Sequence, residues 1–337
     1  MNLTIPTHMQ AVQLDPGSST LSVCTLPVPK PGPGQVLVKM AASPINPSDL
    51  NFIQGQEGSG NQKPIVPGFE GSGTVVAAGP GLLPRLWLGK RVTCAASPGL
   101  GGAWAEYMLT SAMQSFPLRK SLSLEQGATL IVNPMTALAF FHIARQGHHR
   151  AIVNNAAASA LGQMILRLGL KRRIPVIHIV RRKEQVDLLL SLGASYVLDS
   201  SQPGFVSELR ALAHDLKATL FLDAIAGDQT QQYLEAAPDG STVLLYAKLA
   251  GDPRFSNASA LLNKRIEGFY LPNWISKRNP LQILFDLRSV QQMADSELNT
   301  KIHARLPLSE VQTAVDTYQK NMSSGKVLLV MDPRENL

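Results

Sequence analysis

Cysteine is scarce in this chain of 337 residues, which contains only Cys24 and Cys94. Two cysteines can build neither a disulfide framework nor a four-cysteine structural zinc site, so both are expected to be plain buried thiols. No run of about 18 uninterrupted apolar residues occurs, which argues against a membrane-spanning helix. The start, MNLTIPTHMQ, has no basic segment followed by an apolar one, so secretion is not indicated. The expected location is the cytoplasm.

A strong charge of one sign is also lacking. The formal net charge is +7, and the basic residues are not interleaved with aromatic ones as in platforms for single-stranded nucleic acid. The densest basic run, KRRIPVIHIVRRK at 171–183, brackets one short apolar segment. A solvated surface explains such a run by itself, but a phosphate-bearing small molecule is the more economical partner. Neither a nucleic-acid partner nor a membrane partner is expected.

The pattern of the sequence changes near residue 121. Before that point, short β-branched runs separated by glycine and proline, such as QVLVKMAAS and SGTVVAAG, predict a compact, largely β domain. After it, segments typical of strands alternate with helix-periodic ones, from RAIVNNA at 150–156 to IEGFYL at 266–271. Such alternation is typical of βαβ units and a doubly wound parallel sheet.

The predicted fold class is therefore α/β, with a β-rich domain followed by a doubly wound one. We predict the first domain over 1–122 and the second over 123–271. A helix around 280–293 and the strand KVLLVMD would return to the first domain, which residues 272–337 complete.

The turn NNAAASALG at 154–162, after the first strand of the parallel sheet, is the candidate phosphate site. In doubly wound sheets the cofactor's phosphates lie on the N-terminus of the helix that follows. The usual G-x-G-x-x-G pattern appears as Ala157, Ser159 and Gly162, so only the third glycine is intact. Ser159 can donate a hydroxyl hydrogen bond to a phosphate. A small-residue turn in an ordinary βα unit is the alternative, but the βαβ context favours a dinucleotide site.

Basic residues follow the second strand of the parallel sheet. An NAD-preferring site would hold an acid there for the ribose 2′-hydroxyl, while an NADP site has an arginine nearby. This chain has Arg181, Arg182 and Lys183, with no acid before Glu184. A guanidinium fork matches a 2′-phosphate bidentately. The sequence therefore predicts NADPH as the cofactor.

Three motifs, PGFEGSGTVVAAG, LGKRV and NPMTA, precede the βαβ block in that order. With them, the whole chain resembles the medium-chain dehydrogenase/reductase superfamily. Within that superfamily, SPINPSDLNFIQG and EGFYLPNW are most similar to segments of mitochondrial trans-2-enoyl-CoA reductases and zinc-free quinone reductases. The resemblance implies a GroES-like catalytic domain, a Rossmann domain that binds the cofactor, a small-molecule substrate and, commonly, a homodimer.

The resemblance also implies where a catalytic zinc would be held. Zinc-dependent members have a cysteine that aligns with Asn46 and a histidine that aligns with Phe69, before Glu70. An amide is a poor zinc donor and a phenyl ring offers no lone pair, so neither residue replaces those ligands. Three of the histidines, His142, His148 and His149, lie outside this constellation in the sequence. No catalytic zinc is therefore expected.

Without a Lewis acid, hydrogen-bond donors must polarise the substrate carbonyl, and hydride must come from a well-placed nicotinamide. This chemistry suits reduction of an α,β-unsaturated carbonyl or of a quinone better than alcohol oxidation, in which zinc normally generates the alkoxide. Asn46 is a candidate polariser because its side-chain amide can donate to an oxygen. The alternative interpretation makes Asn46 a turn-former in PINPSD, with Asp49 capping the next helix.

The resemblance implies a set of cofactor contacts, residue by residue. Asn133 and Thr136 would lie against the nicotinamide or its ribose, and Tyr246, Phe269 and Tyr270 would form the wall beside the nicotinamide. The pyrophosphate turn would consist of Ala158, Ser159, Ala160 and Leu161. A lysine near the C-terminus contributes in such enzymes, and Lys326 is the nearest match. Ala160 in place of a glycine, and YAKLAG in place of Tyr-Gly-Gly, depart from the family's pattern.

Glu57 is the largest departure from the enoyl reductases, which have a tyrosine at that position. A carboxylate there would repel the enolate unless burial keeps it protonated. Glu57 is an unusual acid, or a solvent-facing loop residue in an enzyme that needs no acid, or a sign that enoyl reduction has been lost. The second interpretation is favoured. The candidate catalytic residues are Asn46, Glu57 and Tyr270.

Three functional hypotheses follow from these features. The leading one is an NADPH-dependent, zinc-free oxidoreductase that reduces the C=C bond of an enone or enoyl thioester. Quinone reduction with NADPH is the close alternative. A non-catalytic NADPH-binding sensor or scaffold is the third, because the glycines of the turn are eroded and the tyrosine is absent.

Overall fold

The computed structural model describes residues 5–15, 18–55, 64–254 and 256–331. The chain forms two compact units, of which the first comprises Met1–Asn133, Leu287–Ala294 and Thr300–Leu337. The second comprises Pro134–Asp286 and Asp295–Asn299. The units are divided after residues 133, 286, 294 and 299, whereas the domain boundaries predicted from the sequence lie at 122 and 271.

The first unit consists mainly of strands. Its strands are β1 (His8–Asp15), β2 (Thr20–Pro27), β3 (Gln35–Pro44), β4 (Glu70–Ala78), β5 (Arg91–Ala95), β6 (Tyr107–Ser111), β7 (Ser115–Pro117), β14 (Ile302–Pro307) and β15 (Lys326–Val330). Its helices are α1 (Pro47–Ile53), α2 (Leu82–Trp87), α3 (Leu124–Gly127) and α11 (Val311–Lys320). β1 and β2 pair as an antiparallel ribbon, and the other strands form a seven-stranded sheet in the order β14-β15-β3-β4-β5-β7, with β6 paired to β3.

Strand β3 lies at the centre of that sheet and is buried along most of its length. Val36, Val38 and Met40 pack into one apolar cluster with Val75 and Val92 of the neighbouring strands. Close strand contact requires glycine in β4, because a Cβ on residue 73 would lie 2.0 Å from the carbonyl oxygen of residue 39. The apolar β-branched runs of the sequence thus form the core of this unit.

The second unit alternates strands and helices. Its strands are β8 (Ala151–Asn154), β9 (Val176–Val180), β10 (Tyr196–Asp199), β11 (Ala218–Asp223), β12 (Thr242–Leu245) and β13 (Arg265–Gly268). Its helices are α5 (Ala160–Arg172), α6 (Lys183–Ser191), α7 (Phe205–Asp215), α8 (Gln229–Ala236) and α9 (Leu271–Ser276). The division between the units falls within α4 (Val132–Gln146) and α10 (Pro280–Gln292).

The six strands of this unit are all parallel, in the order β10-β9-β8-β11-β12-β13. Counted along the chain, that order is 3-2-1-4-5-6, the doubly wound order of dinucleotide-binding domains. Strands covered on both faces become continuously apolar, and β9 accordingly has every residue buried. The prediction of an α/β fold with a doubly wound parallel sheet is confirmed.

Among the helices of the described ranges, none is long and apolar enough to cross a membrane.

Candidate active site

The order of the parallel strands reverses between β8 and β11, and a polar network lies at their carboxyl ends. Asn155 follows β8 and donates from Nδ2 to Asp223 Oδ1 over 2.6 Å, while its Oδ1 accepts the backbone N–H of Ala224 over 2.7 Å. Asp223 Oδ2 accepts the Thr230 hydroxyl over 2.8 Å. Ligands of doubly wound sheets bind at this reversal. The network therefore fixes the loops at the place where the fold binds a dinucleotide.

The turn between β8 and α5 keeps the geometry of a phosphate-binding turn although it has lost glycines. Ser159 is the N-cap of α5, and its Oγ accepts the N–H of Gly162 over 3.1 Å. A Cβ on residue 162 would lie 2.3 Å from the Ala157 carbonyl oxygen, so helix and turn approach closely only because this residue is glycine. Ala156 has a left-handed φ of 48°. A positive φ is the conformation that favours glycine, and in this turn Ala156 adopts it. Ala156 directly precedes Ala157, which takes the place of the motif's first glycine.

The predicted pyrophosphate residues lie together in this turn and in the first turn of α5. Ala158 and Leu161 are buried, with relative exposures of 2% and 9%, and Ser159 and Ala160 are partly exposed. The free backbone N–H groups at a helix N-terminus attract anions. This arrangement suits a diphosphate near Ser159.

The basic residues after β9 differ in their partners. Lys183 Nζ lies 2.6 Å from Asp187 Oδ1, one turn further along α6. The guanidinium groups of Arg181 and Arg182 are exposed, and within the described ranges neither has a carboxylate partner. Arg181 and Arg182 therefore remain able to bind an anion, whereas the ammonium of Lys183 is already paired.

The aromatic residues predicted beside the nicotinamide form part of one cluster in the second unit. The ring of Phe140, in α4, lies 5.0 Å from that of Tyr246 and 4.9 Å from that of Phe269. Burial, and then the Asp223 carboxylate, raise the pKa of Tyr246. Tyr270 is at the N-cap of α9 and is 52% exposed. The structure thus brings Tyr246 and Phe269 together through Phe140, a residue that the sequence did not single out.

Two predicted nicotinamide contacts lie at the start of α4. Asn133 and Thr136 are one helical turn apart, with exposures of 8% and 7%. Residues three apart on a helix share a face. Their side-chain polar groups make no hydrogen bond within the described part of the chain, so they can serve a ligand.

A buried cluster of charged and amide groups lies in the first unit, where α1, β4 and β15 meet. Asn46 accepts a hydrogen bond from Lys326 Nζ through Oδ1 and donates from Nδ2 to Glu70 Oε1 over 3.1 Å. Glu70 Oε2 accepts the backbone N–H groups of Ile131 and Val132 over 2.9 and 3.0 Å. The cluster therefore connects Asn46 to the beginning of α4.

Asp49 completes this cluster. Its carboxylate accepts the backbone N–H of Asn46 over 2.8 Å and that of Phe69 over 3.0 Å. Lys326 is 1% exposed; its ammonium also donates to the Ile45 carbonyl oxygen over 3.2 Å and lies 5.3 Å from the centre of the Tyr318 ring. Lys326 thus binds groups of the protein itself, and its predicted contact with the cofactor stays a prediction.

Burial shifts the pKa values of all three ionisable groups in the cluster. Desolvation raises the pKa of Asp49 to about 7 and raises that of Glu70, although Lys326 and backbone N–H groups oppose the change. Desolvation lowers the pKa of Lys326 to about 8, against the attraction of both carboxylates. Two carboxylates and one ammonium would leave a buried net charge of −1, which is costly, so the cluster tends to hold an additional proton near neutral pH.

Comparisons with known proteins match both units of this fold. Residues 32–120 match the family described as the alcohol dehydrogenase GroES-like domain, and residues 160–286 match the family described as zinc-binding dehydrogenase. The rat mitochondrial enoyl-[acyl-carrier-protein] reductase (Rattus norvegicus) is 31% identical over 313 residues, which cover 88% of this chain and 81% of that protein. The chain belongs to the medium-chain dehydrogenase/reductase superfamily. It is an oxidoreductase of that superfamily, as the resemblance predicted.

One further relative and two solved structures support the assignment of this chain to the superfamily. The bovine mitochondrial enoyl-[acyl-carrier-protein] reductase (Bos taurus) is 29% identical over 312 residues, or 89% of this chain and 82% of that protein. A crystal structure from Mesorhizobium loti, of a protein proposed to be an NADPH:quinone reductase, is 33% identical with a TM-score of 0.88; the match covers 97% of this chain and all of that one. A second such structure, from Bacillus thuringiensis, is 26% identical with a TM-score of 0.86 and the same coverages.

Catalytic zinc does not fit the residues of this superfamily member. The Asn46 amide is engaged by Lys326 and Glu70, and the Phe69 ring packs edge-on against Phe52 with 5.6 Å between centroids. A buried ammonium therefore contacts the residue that aligns with a zinc-binding cysteine. Within the described ranges, no group of three or more His, Cys, Asp or Glu side chains could hold a metal ion.

The candidate catalytic residues stand differently in the structure. Glu57 lies outside the described residues, so its three interpretations stay open. Asn46 is fully buried, and both polar atoms of its amide are hydrogen-bonded within the protein. These contacts are consistent with the alternative interpretation, in which Asn46 forms the turn before α1. Asp49 lies within the first turn of that helix and binds back to Asn46 N–H. Tyr270 is the candidate whose side chain is exposed.

Sequence reasoning missed the acids that hold these loops in place. In the sequence, neither Glu70, which follows Phe69, nor Asp223 stands out as a site residue. One signal was available: each is an acid at an end of a strongly apolar strand, Glu70 at the start of β4 and Asp223 at the end of β11. Acids are almost never fully buried unless they are paired, so an acid in such a run indicates a specific partner.

Proposed function

We propose that the protein is an NADPH-dependent reductase of a C=C bond conjugated to a carbonyl group. The proposal rests on Arg181 and Arg182, which follow the second strand of the doubly wound sheet. Their guanidinium groups are exposed and have no carboxylate partner among the described residues. Guanidinium groups at this place favour a 2′-phosphate over a free 2′-hydroxyl. The names of the rat and bovine relatives supply the substrate class, since both are enoyl reductases.

Residues of the second unit would hold most of the cofactor. The N-terminus of α5, with Ser159, would bind the diphosphate, and Arg181 with Arg182 the 2′-phosphate. Phe269 and Tyr246 would pack beside the nicotinamide ring. Asn133 and Thr136 would hydrogen-bond the nicotinamide or its ribose through side-chain groups that have no partner among the described residues. When bound, NADPH supplies a hydride from its nicotinamide ring.

The protein's own part in the reaction is to bind, orient and polarise the substrate. In conjugate reduction, hydride adds to the β-carbon, negative charge develops on the carbonyl oxygen, and a proton then reaches the α-carbon. A hydrogen-bond donor at the oxygen lowers the barrier to this charge development. The Asn46 amide and the Tyr270 hydroxyl are the two described candidates for that donor; the Tyr270 side chain is 52% exposed, and Asn46 is fully buried.

Quinone reduction with NADPH is the second candidate function. It is favoured by Glu57, which stands where enoyl reductases have tyrosine, because a quinone needs little help from an acid. It is also favoured by the 33% identity with the Mesorhizobium loti protein, whose proposed activity is NADPH:quinone reduction. Both functions use the same cofactor site and differ in the acceptor.

One assay with three acceptors separates these functions. NADPH consumption would be followed with a short enoyl-CoA, a simple enone and a benzoquinone, for the parent and for Glu57→Tyr. Conjugate reduction predicts turnover of the enone or the enoyl-CoA by the parent. If only the variant turns over enoyl-CoA and the parent reduces the quinone alone, the second function is correct. Tight NADPH binding without turnover of any acceptor would instead favour a non-catalytic sensor or scaffold.

The choice of cofactor can be tested separately, by fluorescence titration. Arg181→Ala removes an unpaired guanidinium, so we expect NADPH affinity to fall by about tenfold or more while NADH affinity changes little. Lys183→Ala is the matched control, because that ammonium is paired with Asp187. Equal losses for both cofactors in Arg181→Ala would show that the 2′-phosphate is not bound there.

We also propose that the protein forms a homodimer through the second unit. β13 is the edge strand of the parallel sheet, and it carries Arg265 and Glu267 on either side of Ile266. If two copies of β13 pair antiparallel about Ile266, each arginine faces the partner's glutamate, which is favourable. One face of α10 carries three apolar side chains, at positions i, i+3 and i+4, that are 57–66% exposed: Leu281, Leu284 and Phe285. A second copy of the chain could cover this apolar stripe.

The cytoplasmic location expected from the sequence remains a prediction. The enoyl reductases among the relatives carry mitochondrial names. Fractionation of cells that express the full chain would show in which compartment it resides.

A further inference from the structure

A crevice of about 270 Å³ lies in the second unit, where the parallel strands begin. It is bordered by the last turns of α5 and by the starts of β9 and β10. In a parallel sheet all strand starts lie at one edge and all strand ends at the other. The crevice is therefore at the edge opposite to Asn155 and Asp223, and it is separate from the proposed cofactor site.

An unpartnered histidine lines this crevice. His178, in the middle of β9, is 2% exposed, and its Nδ1 is buried without a hydrogen-bond partner in the described part of the chain. Its neighbour in register on β8, Asn154, likewise has both amide atoms buried without a partner. Burying a polar group without a partner costs free energy, so the crevice borders a part of the sheet whose hydrogen-bonding capacity is unused among the described residues. Burial lowers the pKa of His178 to about 4, so the ring is neutral and has one donor and one acceptor.

The mouth of the crevice carries a free cation. Arg173 ends α5 with a left-handed φ of 56°, and it is exposed with no carboxylate partner among the described residues. Tyr196, at the start of β10, also lines the crevice. Leu166, Leu170 and Val176 supply apolar walls. The crevice therefore combines a positive charge at its mouth, apolar sides and a neutral polar group within.

We propose that this crevice binds a small organic carboxylate with an apolar body and one further hydrogen-bonding group. The carboxylate would pair with the Arg173 guanidinium, whose fork matches its two oxygens. The body would pack between Leu166 and Val176, and its hydrogen-bonding group would meet the edge of the His178 imidazole that lines the crevice. The volume suits a ligand about the size of one substituted aromatic ring, at the small end of ligand pockets.

The probe for this site is 2-hydroxybenzoate, which has a carboxylate, one ring and a hydroxyl group. Equilibrium dialysis and ligand-observed NMR with the full chain would measure its binding. We expect saturable binding in the parent and affinity about tenfold weaker in Arg173→Asn, since asparagine tolerates the left-handed φ. Lys217→Asn is the matched control, because Lys217 is also exposed and also has a left-handed φ, of 53°, but does not line the crevice.

A second variant and a second probe keep the test decisive. Ser195→Trp adds a bulky side chain at an exposed position that lines the crevice, so it should block the probe while leaving the fold intact. The uncharged amide 2-hydroxybenzamide should bind several-fold more weakly than the carboxylate if Arg173 recognises charge. Absence of saturable binding by the parent would overturn the proposal. Equal affinities in the parent, Arg173→Asn and Ser195→Trp would overturn it as well, because the probe would then bind elsewhere.

Discussion

At the scale of single residues, Asn46 shows how one amide can connect two buried charges. Its oxygen accepts from Lys326 and its nitrogen donates to Glu70, so the amide lies between a cation and an anion. An amide is well suited to this position because it carries one acceptor and two donors on neighbouring atoms. A cysteine, the residue of zinc-dependent relatives, could not bridge the two charges in this way.

Ala156 leads to a prediction about stability. It has a left-handed φ of 48°, which costs an alanine about 1 kcal/mol or more and costs a glycine almost nothing. Ala156→Gly should therefore leave the free energy of unfolding unchanged or raise it by up to about 1 kcal/mol. Urea denaturation followed by circular dichroism would measure this.

The control for that prediction is Ala211→Gly, an exposed alanine within α7 whose φ is not left-handed. Glycine in a helix interior costs about 1 kcal/mol relative to alanine. Ala211→Gly should therefore lower the free energy of unfolding, whereas Ala156→Gly should leave it unchanged or raise it. Equal destabilisation by both would show that Ala156 is not strained in the folded protein.

The role of a residue was predictable from the sequence where it depends on neighbouring positions, and less predictable where it depends on partners far away in the chain. The exposed Arg181 and Arg182 follow from their place after a strand, which the sequence displays. The engagement of Asn46 by Lys326 does not, because the two residues are 280 positions apart in the chain. Ala156 illustrates a third case: a backbone angle leaves no trace in the sequence when an alanine takes the position of a glycine.

At the scale of elements, Glu70 connects β4 to the beginning of α4. Its carboxylate accepts two of the backbone N–H groups that every helix leaves unpaired at its N-terminus. Asn133 and Thr136 follow immediately on that helix. The buried cluster thus positions the two side chains that are proposed to bind the nicotinamide or its ribose.

The cluster should make stability depend on pH. Since burial raises the pKa of Asp49 from 3.8 to about 7, the folded protein binds this proton more tightly than the unfolded chain does. That contribution to stability is fully present below about pH 4 and is lost as the pH rises towards 7. Asp49→Asn removes it, so the stability of the parent relative to the variant should fall by roughly 4 kcal/mol between about pH 4 and pH 7.

Denaturation by urea at several pH values would measure this difference. Lys326, whose pKa is lowered to about 8, contributes with the opposite sign, because its contribution is lost as the pH falls from about 10.5 to 8. It is constant below that window and does not mask the effect of Asp49. A parent and variant whose stabilities change in parallel between about pH 4 and 7 would contradict the assignment.

Elements were largely predictable because their periodicity is strong. The alternation of strands and helices after residue 150 predicted the parallel sheet, and its order follows from the fold that such alternation builds. Ends of elements were less predictable: the last parallel strand was expected at 266–271 and spans Arg265–Gly268, because Leu271 already begins α9.

At the scale of the whole molecule, the proposed homodimer gives a prediction about mass in solution. Phe285→Glu places a charge in the exposed apolar stripe of α10, where burial in an interface would be costly. Light scattering should therefore show a dimer for the parent and a monomer for this variant. Leu82→Glu is the control, because Leu82 is 77% exposed in the first unit and should leave the dimer intact. A parent that is monomeric at micromolar concentration would contradict the proposal.

The general architecture was predictable from the sequence, but the assignment of segments to the two units was less so. The change from β runs to alternating strands and helices predicted two domains. The structure groups residues 123–133 with the first unit and residues 272–286 and 295–299 with the second, because packing joins residues far apart in the chain, which no local pattern displays. The same reason explains why the buried acids Glu70 and Asp223 were missed, since Glu70 lies 24 positions from its partner Asn46 and Asp223 lies 68 positions from its partner Asn155.

The central claim is that the protein delivers hydride from NADPH to the β-carbon of a conjugated carbonyl compound. The most direct measurement uses NADPH deuterated on the transferred position, with a short enone or enoyl-CoA as acceptor, and locates the deuterium in the product by mass spectrometry and NMR. We predict a saturated carbonyl product with deuterium on the β-carbon and a solvent proton on the α-carbon. Deuterium on the carbonyl carbon, or no saturated product from any conjugated acceptor, would contradict the account.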